Sequence, residues 1–475
     1  MKTILAVSVF ASLSLPVMSV AASVYEMPAV LVTAERTEAE IRKEPQSAEI
    51  VTSEDIKRSG AYDMRSALSS VLNLSVERSR PAKNAGMGGH QVMLRGMNTN
   101  HTLVLVDGKR MADEDTSVTQ NFYVLDRISV DRIDRVEIVR GASSALYGSD
   151  AMGGVINIIT DDARNTVNVS SYTHYSGEGR LTESVNADVN AGKFSSYTSY
   201  QRRQTGSWQN NNIDENGYET GRPTSVGFYS NTVNQRFVFN ATDKLSFYAR
   251  GTYFDNKTRR PQDATYYAKS KGQFVQKDAY TYNLKHETYT YGAGMKYMIN
   301  RSAYIDAEFY SDNYSSDYMY FKKSGNYLPG DRVTRKQVRY YNGNIKGIFR
   351  LGSRNKLSAG VEYVNEGLES ESDNIDSRHM YTLAFYAQDE IKLPLNLQAV
   401  LGIRYIYNEN FKNYATPNVS LMYKLGGLNL RAAYAAGFRT PTLSQLYATD
   451  ESKTSNRYTT GNVGLKPEKN NFYSL

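Results

Sequence analysis

From about residue 164 onward the chain repeats with a period of two. In 245–253, Leu245, Phe247, Ala249 and Tyr253 alternate with Ser246, Tyr248, Arg250 and Thr252. In 395–407, Leu395, Leu397, Ala399, Leu401, Ile403 and Tyr405 share one face, and in 428–438 Leu428, Leu430, Ala432, Tyr434 and Phe438 stand opposite Asn429 and Arg431. Successive side chains of a strand point to opposite faces, so this spacing predicts strands with one apolar and one polar face. At ordinary strand lengths about 13 of them fit between residues 166 and 438. Short turns such as Gly426-Gly427 join some pairs, and long polar connections at 208–224, 259–277 and 321–336 join others. Short turns at one end and long loops at the other are the layout of a membrane β-barrel.

Composition separates such a barrel from a soluble β-sandwich. The mean hydropathy of −0.54 looks soluble, yet the chain has 38 Tyr against one Trp and no Cys. Barrel strands alternate lipid-facing and lumen-facing residues, which keeps hydropathy low, while interfacial girdles enrich aromatics. The chain opens with Met1-Lys2-Thr3, an apolar run over 4–20, and the small residues Ser19, Ala21, Ala22 and Ser23. That is the plan of a secretory signal peptide over 1–22, too short in its apolar run for a membrane anchor. Without cysteine there are no disulfides and no thiolate metal sites. The five histidines, His90, His101, His174, His286 and His379, lack ligand spacing. With no nucleophile–base pattern and no phosphate loop, the reading is no enzyme, no cofactor and no resident metal. The net charge of +7 is not gathered into a basic stripe, which argues against nucleic acid.

Residues 24–34 hold a short β-prone run, Ala29-Val30-Leu31-Val32-Thr33-Ala34, ahead of any domain. Such a segment can add as a strand to another protein's sheet; the alternative is an ordinary first strand of the next domain. Residues 35–163 mix short helices and strands at single-domain size. A helix is expected to open at Thr52-Ser53-Glu54-Asp55 with Ser53 as N-cap, a second to cover 62–72, and strands to surround Val92, Val104, Val136 and Ile156. The densest segment is 134–160, DRVEIVRGASSALYGSDAMGGVINIIT. Two strand-like runs, 136–139 and 155–159, flank a turn-rich stretch with Gly141, Gly148, Gly153 and Gly154, residues that allow tight turns and close backbone approach.

With QVMLRG at 91–96 and TLVLVDG at 102–108, in this order and spacing, that segment resembles the plug domain of TonB-dependent outer-membrane receptors. The phrase RGMNTNHTLVLVDGKR is most similar to the group that includes the colicin I and ferric enterobactin receptors. The resemblance implies an α+β plug over 35–163 inside an antiparallel barrel over 164–475. The family barrel has about 22 strands, so with about 13–14 present the chain is expected to be C-terminally truncated. Phe438-Arg439-Thr440-Pro441 and Gly464-Leu465-Lys466-Pro467-Glu468 resemble family phrases that lie well before the C-terminus, while this chain ends at Leu475. An open barrel would leave strand-edge groups unsatisfied in lipid; a closed barrel of fourteen strands is the alternative.

The resemblance also implies roles. Ala29, Val30, Leu31, Val32, Thr33 and Ala34 would be the TonB box, with no signalling domain ahead of it. Arg95 and Arg140 of the plug would latch to Glu390 and Glu468 of the barrel, and Ala142 stands where the family usually has Pro. Plug loops at 79–90 and 110–122 would face the ligand, with Arg78, Arg80, Lys83, His90 and Arg110 as candidate contacts. Basic groups suit an anionic ferric catecholate, whereas Asp113, Glu114 and Asp115 would repel one. The expected function is TonB-driven uptake of a ferric siderophore, of catecholate type, by a monomer in the bacterial outer membrane, in contact with lipid and lipopolysaccharide. Haem and cobalamin are alternatives within the family. His90 or His101 could serve haem, though 442–464 contains no second His. A passive porin or adhesin is the alternative of another class.

Overall fold

The computed structural model describes Val30–Leu31, Ala39–Glu40 and residues 48–475, except 70, 72–73, 79–89, 98, 113–123, 161–165, 178, 210–212, 214–216, 222, 224, 271–272, 427 and 453–456. β1 (Val30–Leu31) pairs antiparallel with β2 (Ala39–Glu40). β3 (Ala48–Thr52) runs straight into α1 (Ser53–Arg58). The cap of that helix is Thr52 and not the expected Ser53. Thr52 Oγ1 accepts from the Asp55 amide at 3.2 Å, and the Asp55 carboxylate accepts from the Thr52 amide at 3.0 Å. This reciprocal capping box satisfies two donors that a helix start leaves orphaned. α2 (Met64–Leu68) is shorter than the expected 62–72. Asp63 caps it by accepting from the Ser66 amide at 2.8 Å, and one turn suffices to bury Met64, Ala67 and Leu68.

β4 (Leu74–Arg78) and β5 (His90–Leu94) form a hairpin. Then follow β6 (Thr102–Val106), β7 (Lys109–Arg110), β8 (Ile133–Arg140), the one-turn α3 (Ser144–Tyr147) and β9 (Gly154–Thr160). They build a five-stranded sheet in the order β3-β8-β9-β6-β7, with β6 and β9 parallel. Val104, Val136, Ile138, Ile156 and Ile158 from the sheet pack on Ile56, Met64, Leu68, Val92 and Leu94 in one apolar core. The strands expected around Val92, Val104, Val136 and Ile156 are all present. β9 belongs to this inner sheet up to Thr160.

The wall begins with β10 (Val167–Ser176), β11 (Arg180–Ala191), β12 (Phe194–Thr205), β13 (Gly227–Asn240) and β14 (Leu245–Arg259). A loop hairpin, β15 (Thr265–Ser270) with β16 (Gln273–Asp278), interrupts the expected long connection. The wall resumes with β17 (Tyr282–Asn300), β18 (Ala303–Tyr320), β19 (Arg332–Leu351), β20 (Asn355–Ser370) and β21 (Ile375–Lys392). It ends with β22 (Leu397–Asn408), β23 (Lys412–Leu425), β24 (Leu428–Arg439) and, after α4 (Leu443–Tyr447) and the hairpin β25 (Thr449–Ser452) and β26 (Arg457–Thr460), β27 (Glu468–Ser474). These fourteen wall strands form one antiparallel sheet in sequence order. Connections at one end are short (192–193, 241–244, 301–302, 352–354, 393–396, 426–427), whereas the other end carries 206–226, 260–281, 321–331 and 440–467.

The period of two is realised as a wall with an apolar outside. Phe237, Phe247, Tyr289, Met295, Phe309, Ile345, Phe385, Leu401, Ile403 and Tyr405 are exposed on the outer face. Lipid is the solvent that such a face requires. Among the described residues no helix is long and apolar enough to cross a membrane, which says nothing of the strands. Two positions leave the expected stripe. Leu395 sits in the turn before β22 with φ +60°, because reversing the chain in 393–396 uses the left-handed region. Phe438 turns inward and is buried, stacking on Tyr414 with centroids 5.9 Å apart and planes at 4°. There it packs with Ala384 and Ile406.

The inner domain touches the wall from one side of the sheet to the other. Asp131 accepts from Ser184 at 2.5 Å and Asn186 at 2.7 Å on β11. At the opposite side Asn470 of β27 donates to the Met152 carbonyl at 3.3 Å. A solid domain thus fills the lumen of the curved sheet.

Candidate functional site

The functional question is how the inner domain is held and where its contacts leave space. The 134–160 segment folds as two adjacent antiparallel strands, β8 and β9, closed by a compact loop around α3. Gly141 N–H donates to the Gly153 carbonyl at 3.0 Å and Ser143 N–H to the Ala151 carbonyl at 2.9 Å, tying the loop's base. Gly141 has φ +98°, and a Cβ there would overlap the ring of Phe472 on β27. Gly154 has φ +150° and lies against Leu94 and the Val139 carbonyl. Both positions therefore need glycine for conformation and for close approach. The loop's far side inserts into the wall. Asp150 N–H donates to the Phe438 carbonyl at 3.2 Å, Thr440 N–H donates to Ser149 Oγ at 3.1 Å, and Arg404 Nη1 donates to the Leu146 carbonyl at 3.4 Å.

Among the described residues, charges join domain and wall at several places, including Arg439 to Asp150 at 3.6 Å. First, Lys109 Nζ lies 2.6 Å from Glu308 on β18, and Arg250 on β14 approaches Glu308 at 3.5 Å and Asp107 at 3.6 Å. Burial, then the nearby Arg250, push Lys109 down to about 8 despite Glu308. Second, Arg127 Nη1 donates to Asp312 Oδ2 at 3.0 Å, with both side chains buried (2% and 0% exposed). Asp312 also accepts from the Ala112 amide at 2.6 Å and from Thr290 Oγ1. Third, Glu468 at the start of β27 binds Arg439 Nη1 at 2.8 Å and His101 Nε2 at 2.8 Å. In the Lys109 and Arg127 groups the charges are desolvated, which fixes a geometry without adding much net stability, whereas Glu468 is about half exposed.

The expected latch residues fall into this scheme unevenly. Arg140 pairs with Glu49 on the neighbouring inner strand β3. Arg95, in the left-handed region at φ 55°, lies over the Phe472 ring at 5.6 Å, and burial followed by Arg140 lowers its pKa. Glu390 accepts from Gln398 on the next wall strand. Glu468 does bridge domain and wall, with His101 as its inner partner. The inward residues of β27, Glu468, Asn470 and Phe472, thus form a docking strip.

Of the expected ligand contacts, Arg110 is already committed. It pairs with Asp150, donates to the Ser149 carbonyl at 2.6 Å, and its amide donates to Tyr310 Oη at 3.1 Å. Burial lowers the Arg110 pKa, but Asp150, Tyr340 and Glu366 together outweigh it, so the guanidinium is held more firmly charged than usual. It nevertheless lines a cavity with Tyr340, Glu362, Glu366 and Arg404. Arg404 Nη2 and Glu362 are 2.5 Å apart in that wall. The backbones of Arg78 and His90 lie in the β4–β5 hairpin, and their side chains, with Arg80 and Lys83, lie outside the described residues. So do Ala29 and Val32 to Ala34; of Val30 and Leu31 only the backbone is described. Ala142 is buried within the insertion loop. Among the described residues no group of His, Asp and Glu could hold a metal.

Sequence reasoning missed Lys109, Arg127, Glu308 and Asp312. A signal existed for the acids: Asp306, Glu308 and Asp312 share one face of β18 by parity. Nothing local says which inner residue will meet them.

A family model described as the TonB-dependent receptor plug domain matches residues 40–155, and one described as the TonB-dependent receptor-like β-barrel matches 156–475. A variant of the ferric enterobactin receptor from Pseudomonas aeruginosa is similar in structure at a TM-score of 0.74 and 18% identity, with 93% of this chain and 69% of that chain covered. The siderophore receptor PirA from Acinetobacter baumannii gives 0.68 and 17%, covering 89% and 66%. The siderophore receptor PiuA from the same organism gives 0.64 and 14%, covering 90% and 69%.

Proposed function

Because this chain belongs to the TonB-dependent receptors, we propose that it is an energised outer-membrane transporter that takes up a ferric siderophore. The observation that carries the reading is a folded plug held in an apolar-skinned barrel by desolvated polar contacts. A passive pore has no use for such an obstruction. In this reading the signal peptide over 1–22 is removed, 24–34 carries the TonB box, 35–163 is the plug and 164–475 the barrel. Ligand binds at the long-loop end and at the plug apex. TonB then pairs with the Ala29 to Ala34 segment as an added strand, and work delivered from the inner membrane rearranges the plug. The two-residue pairing of Val30–Leu31 with Ala39–Glu40 supports a segment able to exchange one strand partner for another. The latch is Lys109–Glu308, Arg127–Asp312 and the β27 strip, joined by Arg95 and Arg140 next to it.

The siderophore reading draws support from the structural neighbours, which are named as ferric enterobactin and siderophore receptors, two of them with enterobactin bound. A catecholate is the chemical type favoured here. Haem is disfavoured because His101 is engaged with Glu468. Titrating the purified receptor with ferric catecholates, haem and cobalamin tests the assignment. Saturable binding of a ferric catecholate is expected; binding of haem or cobalamin alone would reject it.

A further inference from the structure

A second cavity lies below the β6–β7 hairpin, in the half of the lumen nearest the short turns. It measures about 370 Å³, opens to solvent, and is lined by Lys109, Arg236, Arg250, Lys296 and Lys346 together with Asp107, Asp306 and Glu308. Parity fixes the direction of the wall cations: Phe237, Met295, Tyr297 and Ile345 beside them are exposed on the outer face, so Arg236, Lys296 and Lys346 face inward. Register places Lys296, Asp306 and Lys346 side by side across β17, β18 and β19, close to the turns at 301–302 and 352–354.

The charge balance favours anions: five cations face three carboxylates. All three carboxylates already have donors at hand, Asp306 from Tyr248 Oη at 3.1 Å. Glu308 accepts from Lys109 and from Tyr248 Oη at 2.9 Å, and Asp107 accepts from the Thr160 amide and hydroxyl, each at 2.8 Å. Burial would raise the Asp107 carboxyl, yet Arg250 and Arg236 hold it below its ordinary range. The two guanidiniums contribute a positive field there, alongside the hydrogen bonds from Thr160. A concave site with low-dielectric walls focuses such a field, and the volume suits a ligand of drug-like size.

We propose that this chamber is an exit-side transit site for a multiply charged anion, held by Arg236, Lys296 and Lys346 between the plug and the short-turn end. It rests on the uptake reading and deepens it: the cargo is anionic when it passes the plug, and the chamber keeps it from returning. The test uses the purified receptor in neutral detergent and a trisulfonated pyrene dye as probe, read by fluorescence anisotropy. Wild type is expected to bind the dye with affinity that falls as salt rises. The R236Q/K296Q/K346Q variant is expected to bind roughly tenfold more weakly or less, and an uncharged hydroxypyrene not at all. Equal dye affinity in wild type and variant, or equal binding of the uncharged analogue, would overturn the proposal. The pair K296Q/K346Q, which leaves Arg236 beside Asp107 in place, repeats the comparison if the triple variant misfolds. The ferric catecholate titration is run alongside: if no chelate binds while the dye comparison holds, the uptake reading falls and the anion site stands.

Discussion

At the scale of single residues, the contact between Arg127 and Asp312 is the most demanding in the molecule. Neither charge reaches solvent, and Asp312 also serves the Ala112 amide. Removing one partner leaves the other charge buried and unpaired, at a cost of about 3–5 kcal/mol. Asp312→Ala should therefore lower the plug's unfolding free energy, measured by urea titration, by that much while the barrel's heat-modifiable gel mobility stays unchanged. The double change Arg127→Met with Asp312→Leu should recover most of the loss; failure to recover would show that the amide bond, and not the charge pair, dominates. Lys109 gives a pH dependence. Its docked pKa of about 8 lies below its ordinary 10.5, so the docked plug binds fewer protons than the undocked one between those values. Docking is then expected to strengthen as pH rises from 7 towards 10. Comparing plug urea midpoints at pH 7 and 9 for wild type and Lys109→Met checks this: the rise belongs to wild type, and an identical rise in the variant would remove Lys109 as its source.

At the scale of elements, the insertion loop of 141–153 depends on Gly141. Gly141→Leu adds a side chain where Phe472 already sits and where φ is +98°; strain of this kind costs about 1–3 kcal/mol before any clash is counted. The expected outcome is an undocked loop, seen as protease cleavage between Ala142 and Met152 that wild type resists. Combining it with Phe472→Ala should restore part of the protection. The wall strands were legible in the chain because parity survives any tertiary context. The exceptions mark where something else competes. Leu395 yields to a turn, and Phe438 yields to an inward pocket against Tyr414 and Ile406. Thr52 and Ser53 are both competent caps, and only the reach of the Asp55 side chain chooses between them. The charged pairs were hidden for a different reason. Glu308 and Asp312 can be placed on the inner face from their own strand, but Lys109 and Arg127 meet them only through the rotation of the plug inside the wall, which no local pattern encodes.

At the scale of the molecule, the account is of a barrel whose lumen is closed by a separately folded domain, with apolar residues outside and hydrogen-bonded charge between the two parts. A core of apolar contacts between plug and wall would make rearrangement as costly as unfolding. The polar contacts described here are individually specific and can be exchanged for water. In the uptake proposed for this receptor, the energy that rearranges the plug enters through residues 29–34. The direct test is uptake of radiolabelled ferric catecholate by cells carrying the receptor with Val30 to Ala34 deleted, with surface binding measured on the same cells. The account predicts wild-type binding and no uptake above that of cells lacking the receptor. Uptake at the wild-type rate in the deletion strain would contradict it.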